Sequence, residues 1–530
     1  MIDYIVIGGG SAGCVLASRL TEDPSIRVAL IEAGGVDKSV LIHCPAGVAG
    51  LGNTPMNWAF DTVPMAGLQG RRGYQPRGRV LGGSSSVNAM VYIRGHRFDY
   101  DNWAAQGNAG WSYDEVLPYF KRAEDNSRGA DAFHGSGGPL GVSDLRNPNP
   151  FAFHFVEAGV QAGYARTPDF NGERQEGMGV YQATQRNGER CSAAKAYLTP
   201  NLDRSNLQVI TDAQVQRIVV EQGRAVGVQY LQGGQRQELR AGREVLLSAG
   251  ALQSPQVLML SGIGPAAHLR EHGIAPVLDL PGVGQNLQDH PDGLIVVKAP
   301  HIKDLFGLSL GMPFRMLRGI LEWRRARTGL LTTNYAESGG FIRTDAGEDG
   351  PPDIQMIFVI AKIEDHGRKV LWGNGYSCHI DLLRPKSRGS VRLAGSDPAR
   401  PPLIDPNFLS HPDDMQRMVK GFKAMRRILE QPALARFGGK EDPASAAART
   451  DEQIEQHLRT HADTGYHPVG TCRMGSGPLD VVDERLRVRG IAGLRVVDAS
   501  VMPEIVGGNT NAPTIMIAEK AVDMILKGDA

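Results

Sequence analysis

The sequence predicts a mixed α/β fold with more than one domain, and three observations lead to this prediction. The chain has 530 residues, which is more than one hydrophobic core usually organises, so we expect two domains. Its beginning has the pattern of a strand, a glycine-rich turn, a helix and a second strand, and further strand and helix patterns alternate along the rest. The composition is ordinary, with 22% charged residues and no net formal charge, so nothing suggests a nucleic-acid partner.

The N-terminal unit has the features of a dinucleotide-binding site. A short β-branched strand leads into a G-x-G-x-x-G turn on Gly8, Gly10 and Gly13. These glycines suit a tight turn, a close approach to a pyrophosphate and close helix packing, respectively. After the helix, a second strand over residues 27–31 ends at Glu32, which can accept a hydrogen bond from a ribose hydroxyl. An acid there argues against NADP, whereas FAD and NAD remain open at this point; the alternative of a purely structural turn is disfavoured.

A second loop, residues 76–95, combines flanking arginines with a Gly/Ser run and then an apolar segment. Its backbone N–H groups and hydroxyls suit a phosphate or the edge of a heterocycle. A solvated linker is the alternative, but a linker would not run directly into apolar residues 87–91. We therefore expect this loop to contact the ligand of the first unit.

Hydrophobic periodicity and turn residues predict the remaining elements. Helices are predicted over residues 104–125, 151–162, 450–461 and 514–527. Strands are predicted over residues 207–210, 215–220 and 225–230 as a meander, over 243–250 and 494–500, and over 376–383 and 389–393 as strands of a second sheet. The segment 305–323 is apolar but carries arginines. It fits either a helix that covers a cavity or an interfacial helix lying on anionic lipid.

Two histidines could be catalytic, but a structural role is the preferred interpretation of both. Asp289 and His290 are adjacent in a Gly/Pro-rich loop, where such residues more often form a structural hydrogen-bonding pair. His379 lies within a predicted strand, and we expect it to be a packed core histidine.

The cysteines and the hydropathy bear on the compartment. Five scattered cysteines without a C-x-x-C pattern predict buried free thiols in a reducing compartment. The first strand begins at residue 3, so we expect no signal peptide. No run of about 18 uncharged apolar residues occurs, so no transmembrane helix is expected. We expect a cytoplasmic protein, either free or attached peripherally to the inner face of the membrane.

Several blocks together resemble the glucose–methanol–choline (GMC) oxidoreductases. Residues 78–101 match the first signature of that family and residues 250–264 match the second. The remaining blocks occur in the family's order: the N-terminal glycine turn, Asp289-His290-Pro291, Tyr466-His467-Pro468 and the turn over residues 509–513. Within the family the chain looks most like bacterial dehydrogenases of aliphatic alcohols, and next like choline dehydrogenases.

The resemblance implies FAD and a discontinuous arrangement of two domains. It predicts a Rossmann-like FAD-binding domain formed by residues 1–150, 201–298 and 466–530. The substrate domain, residues 151–200 and 299–465, is expected to be built on an antiparallel sheet. Some relatives attach FAD covalently through a histidine just before the asparagine of the first signature. Val87 stands there in this chain, so non-covalent FAD is predicted.

The resemblance also assigns the FAD-contacting residues by position. The Gly8 turn and Glu32 are expected to hold the ADP half, the backbone of Val215 to lie near the adenine, and the first signature to reach the flavin side. The full predicted set is Gly8, Gly10, Ser11, Ala12, Gly13, Glu32, Ala33, Trp58, Arg79, Gly82, Gly83, Ser84, Asn88, Ala89, Met90, Val91, Val215, Ala249, Gly250, Tyr466, Asp498, Ala499, Asn509, Asn511, Ala512, Pro513 and Thr514. No metal is predicted.

By the same resemblance, the reaction is oxidation of a primary alcohol to the aldehyde, with hydride transfer to the flavin N5. His467 matches the catalytic base, which suits imidazole because its ordinary pKa of about 6.5 leaves it neutral at working pH. Asn511 matches the partner position, where many relatives have a second histidine. The helix beginning near Ala512 is expected to direct its N-terminus at the flavin.

Several functional questions remain open from the sequence. The electrons could pass to a quinone or another carrier, or to O₂ in an oxidase acting on aryl or furanic alcohols. A non-catalytic flavoprotein is a remote alternative. Glu337 fits either a partner for a cationic substrate such as choline or a structural carboxylate. The apolar segment 305–323 fits an aliphatic or aromatic alcohol better.

Overall fold

Two seven-stranded sheets organise the computed structural model, which describes residues 1–307, 311–345, 350–369 and 371–528. The strands of three or more residues are β1 (Ile2–Ile7), β2 (Val28–Ile31), β3 (Glu124–Asn126), β4 (Leu140–Val142), β5 (Gly177–Val180), β6 (Leu207–Ile210), β7 (Ala213–Glu221), β8 (Arg224–Gln232), β9 (Gln235–Leu247), β10 (Gln285–Leu287), β11 (Pro291–Lys298), β12 (Ala336–Ile342), β13 (Ile354–Val359), β14 (Gly375–Leu382), β15 (Gly389–Arg392), β16 (Leu403–Asp405) and β17 (Leu494–Val496).

The α-helices surround these sheets and connect their strands. They are α1 (Ser11–Leu20), α2 (Val40–His43), α3 (Arg97–Ala105), α4 (Tyr113–Ala123), α5 (Pro150–Gln161), α6 (Ser254–Leu260), α7 (Ala266–Glu271), α8 (Met312–Ala326), α9 (Pro412–Leu429), α10 (Pro432–Ala435), α11 (Pro443–Ala446), α12 (Asp451–His461) and α13 (Asn511–Leu526). Among the residues described, no helix combines the length and apolar character needed to cross a membrane.

The first sheet has the strand order β6-β2-β1-β9-β8-β7, and β17 pairs with β9. The pairs around β1 and β2 are parallel, whereas β7, β8 and β9 form antiparallel hairpins. Ile5 and Val6 of β1 are fully buried, as expected for the centre of a parallel sheet covered on both faces. Helices α1 and α13 pack together against this sheet, which brings the two ends of the chain to the same place.

The second sheet is antiparallel and runs β11-β14-β13-β12-β5. The short strand Lys440–Glu441 continues it beyond β11, and Asp463–Thr464 also pairs with β11. One face packs on α5 and α9 in a separate hydrophobic core. Residues of this sheet, among them Ile357 and Val359 of β13, also line the cavity described below.

The structure corrects three element predictions. Residues 104–125 do not form one helix: the chain breaks between α3 and α4, in a segment that includes left-handed Gly107 and Gly110. Residues 207–210 are not part of a meander, because β6 pairs in parallel with β2. Residues 389–393 are not in the second sheet, because β15 lies in a separate three-stranded sheet with β10 and β16.

The division into two domains remains a prediction. Strand β11 falls within the range 201–298 predicted for the FAD-binding domain, but it pairs entirely with strands of the second sheet. The predicted helices over 151–162 and 450–461 correspond to α5 and α12. All five cysteines, Cys14, Cys44, Cys191, Cys378 and Cys472, are buried and free, as predicted.

Candidate active site

One cavity of about 800 Å³ runs from the N-terminal glycine turn to the loop that carries His467. Most of the predicted FAD-contacting residues line it: Gly8, Gly10, Ser11, Ala12, Glu32, Ala33, Trp58, Gly83, Ser84, Asn88, Ala89, Met90, Val91, Val215, Ala249, Gly250, Tyr466, Asp498, Ala499, Asn509, Asn511 and Thr514. The size and length of this cavity suit a large cofactor together with a small substrate.

Five of the predicted residues lie behind the cavity wall. A Cβ on Gly13 would come within 1.9 Å of the Gly8 carbonyl oxygen, so this glycine permits helix packing, as expected. The Arg79 guanidinium lies 4.7 Å from the centre of the Trp58 ring and supports that side chain from outside. The remaining three are Gly82 and, in the first turn of α13, Ala512 and Pro513.

The first signature loop rests directly on the N-terminal glycine turn. The Gly82 N–H donates to the Gly9 carbonyl oxygen at 2.7 Å, and a Cβ on Gly83 would come 2.8 Å from the Gly10 Cα. A Cβ on Gly10 itself would meet no atom within 4 Å, because this position faces the open cavity. The two loops therefore form one cradle, with space above Gly10 for a pyrophosphate.

The second signature is held by Asp498. The carboxylate of Asp498 accepts hydrogen bonds from the Gly250 N–H at 2.9 Å and from the Ser254 hydroxyl at 2.5 Å. Because Gly250 and Ala249 line the cavity, this buried carboxylate fixes the shape of the wall. Burial raises the pKa of Asp498, and its four hydrogen-bond donors oppose that rise.

Two helix N-termini without a side-chain cap open onto the same cavity. Helix α1 begins after Gly10 and helix α13 after Thr510, and neither residue offers a capping hydrogen bond. The unpaired N–H groups and the helix dipoles favour negative charge at both places. The Ser11 hydroxyl donates to the Asn511 Oδ1 at 2.8 Å and ties the two N-termini together. Such a donor set fits a dinucleotide with a pyrophosphate at α1 and an electron-accepting ring near α13.

Glu32 closes the far end of the cradle. Its two carboxylate oxygens accept from the Gly9 N–H at 2.8 Å and the Gly34 N–H at 2.7 Å. Burial raises its pKa to about 7. The side chain lines the cavity, and its contact with a ribose stays a prediction.

His467 lies at the other end of the cavity and is almost completely buried. Its Nε2 is 3.0 Å from the Asn509 amide nitrogen, and its Nδ1 is 3.0 Å from the Nδ1 of His290. Burial lowers the pKa of His467 well below the usual value, and the neighbouring His290 and Arg77 lower it further. The imidazole is therefore neutral over the physiological pH range.

The structure corrects the predicted partner of His467. Asn511 is the first residue of α13, so its side chain turns back towards Ser11 at the start of α1. Asn509 lies in the preceding turn and is the residue whose amide reaches His467. Both asparagines line the cavity, but sequence position alone does not show where the helix starts and therefore which of them faces the imidazole.

The hydrogen bonds fix the position of the proton on His467. Asn509 Oδ1 accepts from the Gln355 amide at 3.2 Å, so its Nδ2 is the group that donates to His467 Nε2. A neutral imidazole that accepts at Nε2 carries its proton on Nδ1 and donates it to His290. Burial lowers the pKa of His290 to about 3, so His290 is a neutral acceptor. The lone pair of His467 Nε2 thus accepts from Asn509 Nδ2, and both side chains line the cavity.

Asp289 holds the backbone of the His467 loop. Its carboxylate accepts from the His467 N–H at 2.8 Å, from the Thr464 hydroxyl at 2.5 Å and from the Gln75 amide at 3.0 Å. The preceding Tyr466 has a left-handed φ of 71°, which costs energy for a residue other than glycine. Asp289 is thus a hydrogen-bonding residue of the fold, as preferred from the sequence. The contact between His290 and His467 was not foreseen.

Glu337 and His379 differ in their relation to the cavity. Glu337 does not line it: its oxygens accept from the Asn149 N–H and the Thr333 hydroxyl, both at 2.5 Å. This favours the structural interpretation of Glu337. His379 does line the cavity, where its Nδ1 lies 2.6 Å from the Asp292 carboxylate, so the expectation of a packed core histidine is wrong.

Helix α8 combines both features considered for the segment 305–323. Met312 and Met316 line the cavity. Phe314 and Leu317 point outward, with 80% and 58% of their surface exposed. Residues 308–310 of the segment lie outside the part of the chain that the structure describes. The helix therefore forms part of the cavity wall and also presents an apolar outer face.

Comparisons with known proteins agree with this geometry. The N-terminal GMC oxidoreductase model matches residues 2–292, and the C-terminal one matches residues 385–518. An alcohol dehydrogenase [acceptor] of Pseudomonas putida is 48% identical over 99% of this chain and 96% of its own length. The mitochondrial choline dehydrogenase of Homo sapiens is 47% identical over 98% of this chain and 89% of its own.

Solved structures of oxidases have the same fold over the full length. Pyridoxine 4-oxidase from Mesorbium loti superposes with a TM-score of 0.90 at 33% identity and covers 100% of both chains. A formate oxidase variant from Aspergillus oryzae, studied for FAD modification, superposes with a TM-score of 0.91 at 28% identity over 99% of this chain and 98% of its own. The chain belongs to the GMC oxidoreductase family and is an FAD-dependent oxidoreductase.

Proposed function

We propose that this protein oxidises a primary alcohol to the aldehyde, with His467 as the base, and passes the electrons to a quinone or another carrier. The observation that carries the proposal is a neutral imidazole on the cavity wall whose Nε2 accepts from the Asn509 amide. A hydroxyl that enters between the two groups accepts from Asn509 and gives its proton to Nε2. An alcohol is a very weak acid, so a neutral base at this place is what its oxidation requires. The alcohol dehydrogenase of Pseudomonas putida supports this class of reaction.

Different residues of the chain accept the hydroxyl proton and orient the substrate. His467 Nε2 takes the hydroxyl proton, and His290 Nδ1 continues to accept from His467 Nδ1 in the resulting imidazolium. The Asn509 Nδ2 donates to the substrate oxygen and so directs the carbinol carbon into the cavity. FAD, held by the glycine cradle, supplies the hydride acceptor when it is bound. The unpaired N–H groups at the start of α13 favour the negative charge that develops on that side.

The test is anaerobic bleaching of the flavin absorbance by a panel of alcohols, with wild type and His467→Ala. We expect medium-chain alcohols to bleach the wild type. The variant should retain FAD but reduce it at least on the order of 10²-fold more slowly, because general-base catalysis contributes about 10²–10⁴-fold. Nearly normal reduction in the variant would remove His467 from the mechanism.

Other activities give different outcomes in the same experiment. Peroxide formed in air at the rate of alcohol oxidation would indicate an oxidase, as in the pyridoxine and formate oxidases of the same fold. Rapid bleaching by choline alone would favour a choline dehydrogenase, although the buried position of Glu337 offers that cation no partner at this residue. Failure of every alcohol would favour a non-catalytic flavoprotein.

We further propose that the outer face of α8 contacts an anionic membrane surface peripherally. The exposed apolar side chains of this helix are Phe314, Leu317 and Leu321. Trp372, which follows the cavity residue Leu371, is 71% exposed. Exposed Arg318, Arg324 and Arg325 on the same helix can pair with lipid phosphates. Because α8 also lines the cavity, a quinone or an apolar alcohol could then enter from the bilayer.

Vesicle co-sedimentation tests this contact. Wild type should bind vesicles containing anionic lipid, and Leu317→Ser combined with Phe314→Ser should weaken binding at least on the order of 10²-fold, since each buried apolar side chain contributes about 1.5–3 kcal/mol. Leu403→Ser is the matched control, because Leu403 is 44% exposed outside α8. Equal binding of all three proteins contradicts the proposal.

A further inference from the structure

A pair of carboxyl groups lines the cavity on the second sheet. Asp292 on β11 and Asp381 on β14 are directly opposite each other in antiparallel pairing, so their side chains share one face. Gln355 on β13 is opposite Asp381 on its other side. This row of polar residues leads across the sheet to Asn509, to which the Gln355 amide donates.

Asp381 differs from the other carboxylates around the His467 loop. Asp289 accepts three hydrogen bonds, Asp292 is 2.6 Å from His379, and Asp463 is 3.1 Å from His366. Asp381 is 1% exposed, and its Oδ1 has no hydrogen-bond partner in the described part of the chain. The Oε1 of the neighbouring Gln355 also lacks a donor there. A buried polar atom without a partner costs free energy unless a ligand supplies one.

The unpaired carboxyl lies close to the reaction centre. A Cβ on Gly465, two residues before His467, would be 2.9 Å from Asp381 Oδ1. On this sheet the cavity wall also contains Asp292 and His379, which pair with each other, and the apolar side chains Ile357, Val359 and Ala336. Asp381 is therefore the carboxyl of this wall that has an oxygen left for a substrate held by His467.

The surroundings of Asp381 favour its protonated form. Burial raises its pKa well above the usual range, and the neighbouring charges of Asp292 and Asp289 raise it further. A protonated carboxyl presents one O–H donor and one carbonyl acceptor. A hydroxyl group matches both, because it accepts and donates. An ammonium group can only donate, so it would require Asp381 to ionise beside Asp292.

We propose that Asp381 binds a second hydroxyl group of the substrate, so that the enzyme prefers diols to monoalcohols of the same length. This inference rests on the proposed alcohol oxidation and specifies the class of alcohol. Gln355 lies opposite Asp381 on β13 but does not line the cavity, so Asp381 is the group that the hydroxyl reaches. Asp381 acts as a specificity residue and takes no part in proton transfer from the reacting carbon.

The experiment compares terminal diols with primary alkanols of four to eight carbons, using the FAD-loaded protein. The variants are Asp381→Leu, which removes both hydrogen-bonding functions, and Asp381→Asn, whose amide retains a donor and an acceptor. We expect Asp381→Leu to lower kcat/KM for the diols on the order of 10-fold and to leave the alkanols unchanged, because only the buried hydrogen bonds are lost. Asp381→Asn should keep the preference for diols.

A binding measurement keeps the test independent of turnover. A ditertiary diol and its monotertiary analogue have no carbinol hydrogen and are not oxidised. The diol should raise the melting temperature of wild type and Asp381→Asn more than the monoalcohol does, and this difference should vanish in Asp381→Leu. If no alcohol bleaches the flavin of the wild type, the proposed function is wrong. The difference in melting temperature between the diol and the monoalcohol still shows whether Asp381 binds a hydroxyl group.

Three results would overturn the inference. Equal kcat/KM for diols and alkanols in wild type would show that no second hydroxyl is recognised. An unchanged ratio in Asp381→Leu would place the recognition elsewhere. A preference for amino alcohols that Asp381→Asn abolishes would identify an ionised Asp381 and a cationic substrate.

Discussion

At the scale of single residues, the reacting end of the cavity is defined by what each nitrogen of His467 contacts. Asn509 donates to Nε2 and His290 accepts from Nδ1, so the imidazole is held in one tautomer. Neither neighbour is charged at neutral pH, and both are positioned by other elements. The base is therefore prepared before a substrate arrives, which lowers the reorganisation needed during proton transfer.

Substitution of Asn509 and substitution of Asn511 should affect different properties of the enzyme. Asn509→Ala removes the donor to His467 Nε2 and to the substrate, so flavin reduction should slow on the order of 10²-fold with FAD content unchanged. Asn511→Ala removes the acceptor for Ser11 and should weaken FAD binding with a smaller effect on reduction. Stopped-flow reduction rates and FAD dissociation constants of both variants check this. The reverse pattern would make Asn511 the substrate partner.

His290 should act as a positioning residue for the base. His290→Leu leaves the His467 Nδ1–H without an acceptor, so reduction should slow on the order of 10-fold or more. His290→Gln supplies an amide oxygen to the same proton and should restore much of the rate. The measurement is the reduction rate against pH in both variants, with FAD content as the control for folding. Equal losses in Leu and Gln variants would assign His290 to packing alone.

At the scale of elements, the start of α13 explains the correction to the predicted site. Pro513 is in the first turn, as predicted, but the helix begins earlier, at Asn511. This start directs Asn511 to α1 and leaves Asn509 in the turn before the helix. Asn511 and Asn509 are two residues apart, but the first contacts the cofactor cradle and the second contacts the base.

Strand β12 carries a buried carboxyl that makes stability depend on pH. Burial raises the pKa of Glu337 to about 7, above the unfolded value. A raised folded pKa means that its contribution to stability is full below about pH 4.5 and is lost as the pH rises through about 7. Glu337→Gln keeps a hydrogen bond to each neighbour and removes this titration.

The free energy of unfolding of wild type should therefore fall, relative to Glu337→Gln, by on the order of 1 kcal/mol per pH unit between about pH 5 and pH 7. Thermal unfolding of both proteins across this range, at saturating FAD, checks the prediction. Parallel curves for the two proteins would mean that Glu337 remains ionised in the folded state.

At the scale of the whole molecule, the cofactor cavity lies between two sheets that have separate hydrophobic cores. FAD is expected to bind without a covalent bond, since Val87 stands where some relatives have the linking histidine. Acid precipitation should therefore leave the flavin in the supernatant. Removal of FAD should lower the melting temperature, because a ligand that binds only the folded state stabilises it, and re-addition should restore it.

Retention of the yellow colour in the acid pellet would contradict the non-covalent assignment. The control is the same protein after FAD re-addition, which must recover both the flavin absorbance and the melting temperature. A melting temperature that does not depend on free FAD would mean that FAD does not bind the folded state in preference to the unfolded one.

The local parts of the fold were predictable because they depend on residues close in sequence. The glycine turn, β2 and Glu32 follow from spacing alone, and so do α5 and α12. The contact between Asn509 and His467 spans 42 residues, and that between His290 and His467 spans 177. Such contacts depend on where helices begin and how strands register, which a single sequence does not specify. Asp381 gave only a weak signal, a charged residue within an apolar strand.

The hydrogen bond from Ser11 to Asn511 joins positions 500 residues apart. A ribosome adds about 5–20 residues per second, so the first partner waits on the order of a minute before the second is even synthesised. During that interval the N-terminus of α13 is missing from the cavity. We therefore expect cofactor loading to follow translation of the last helix, and chains that end before α13 to lack bound flavin.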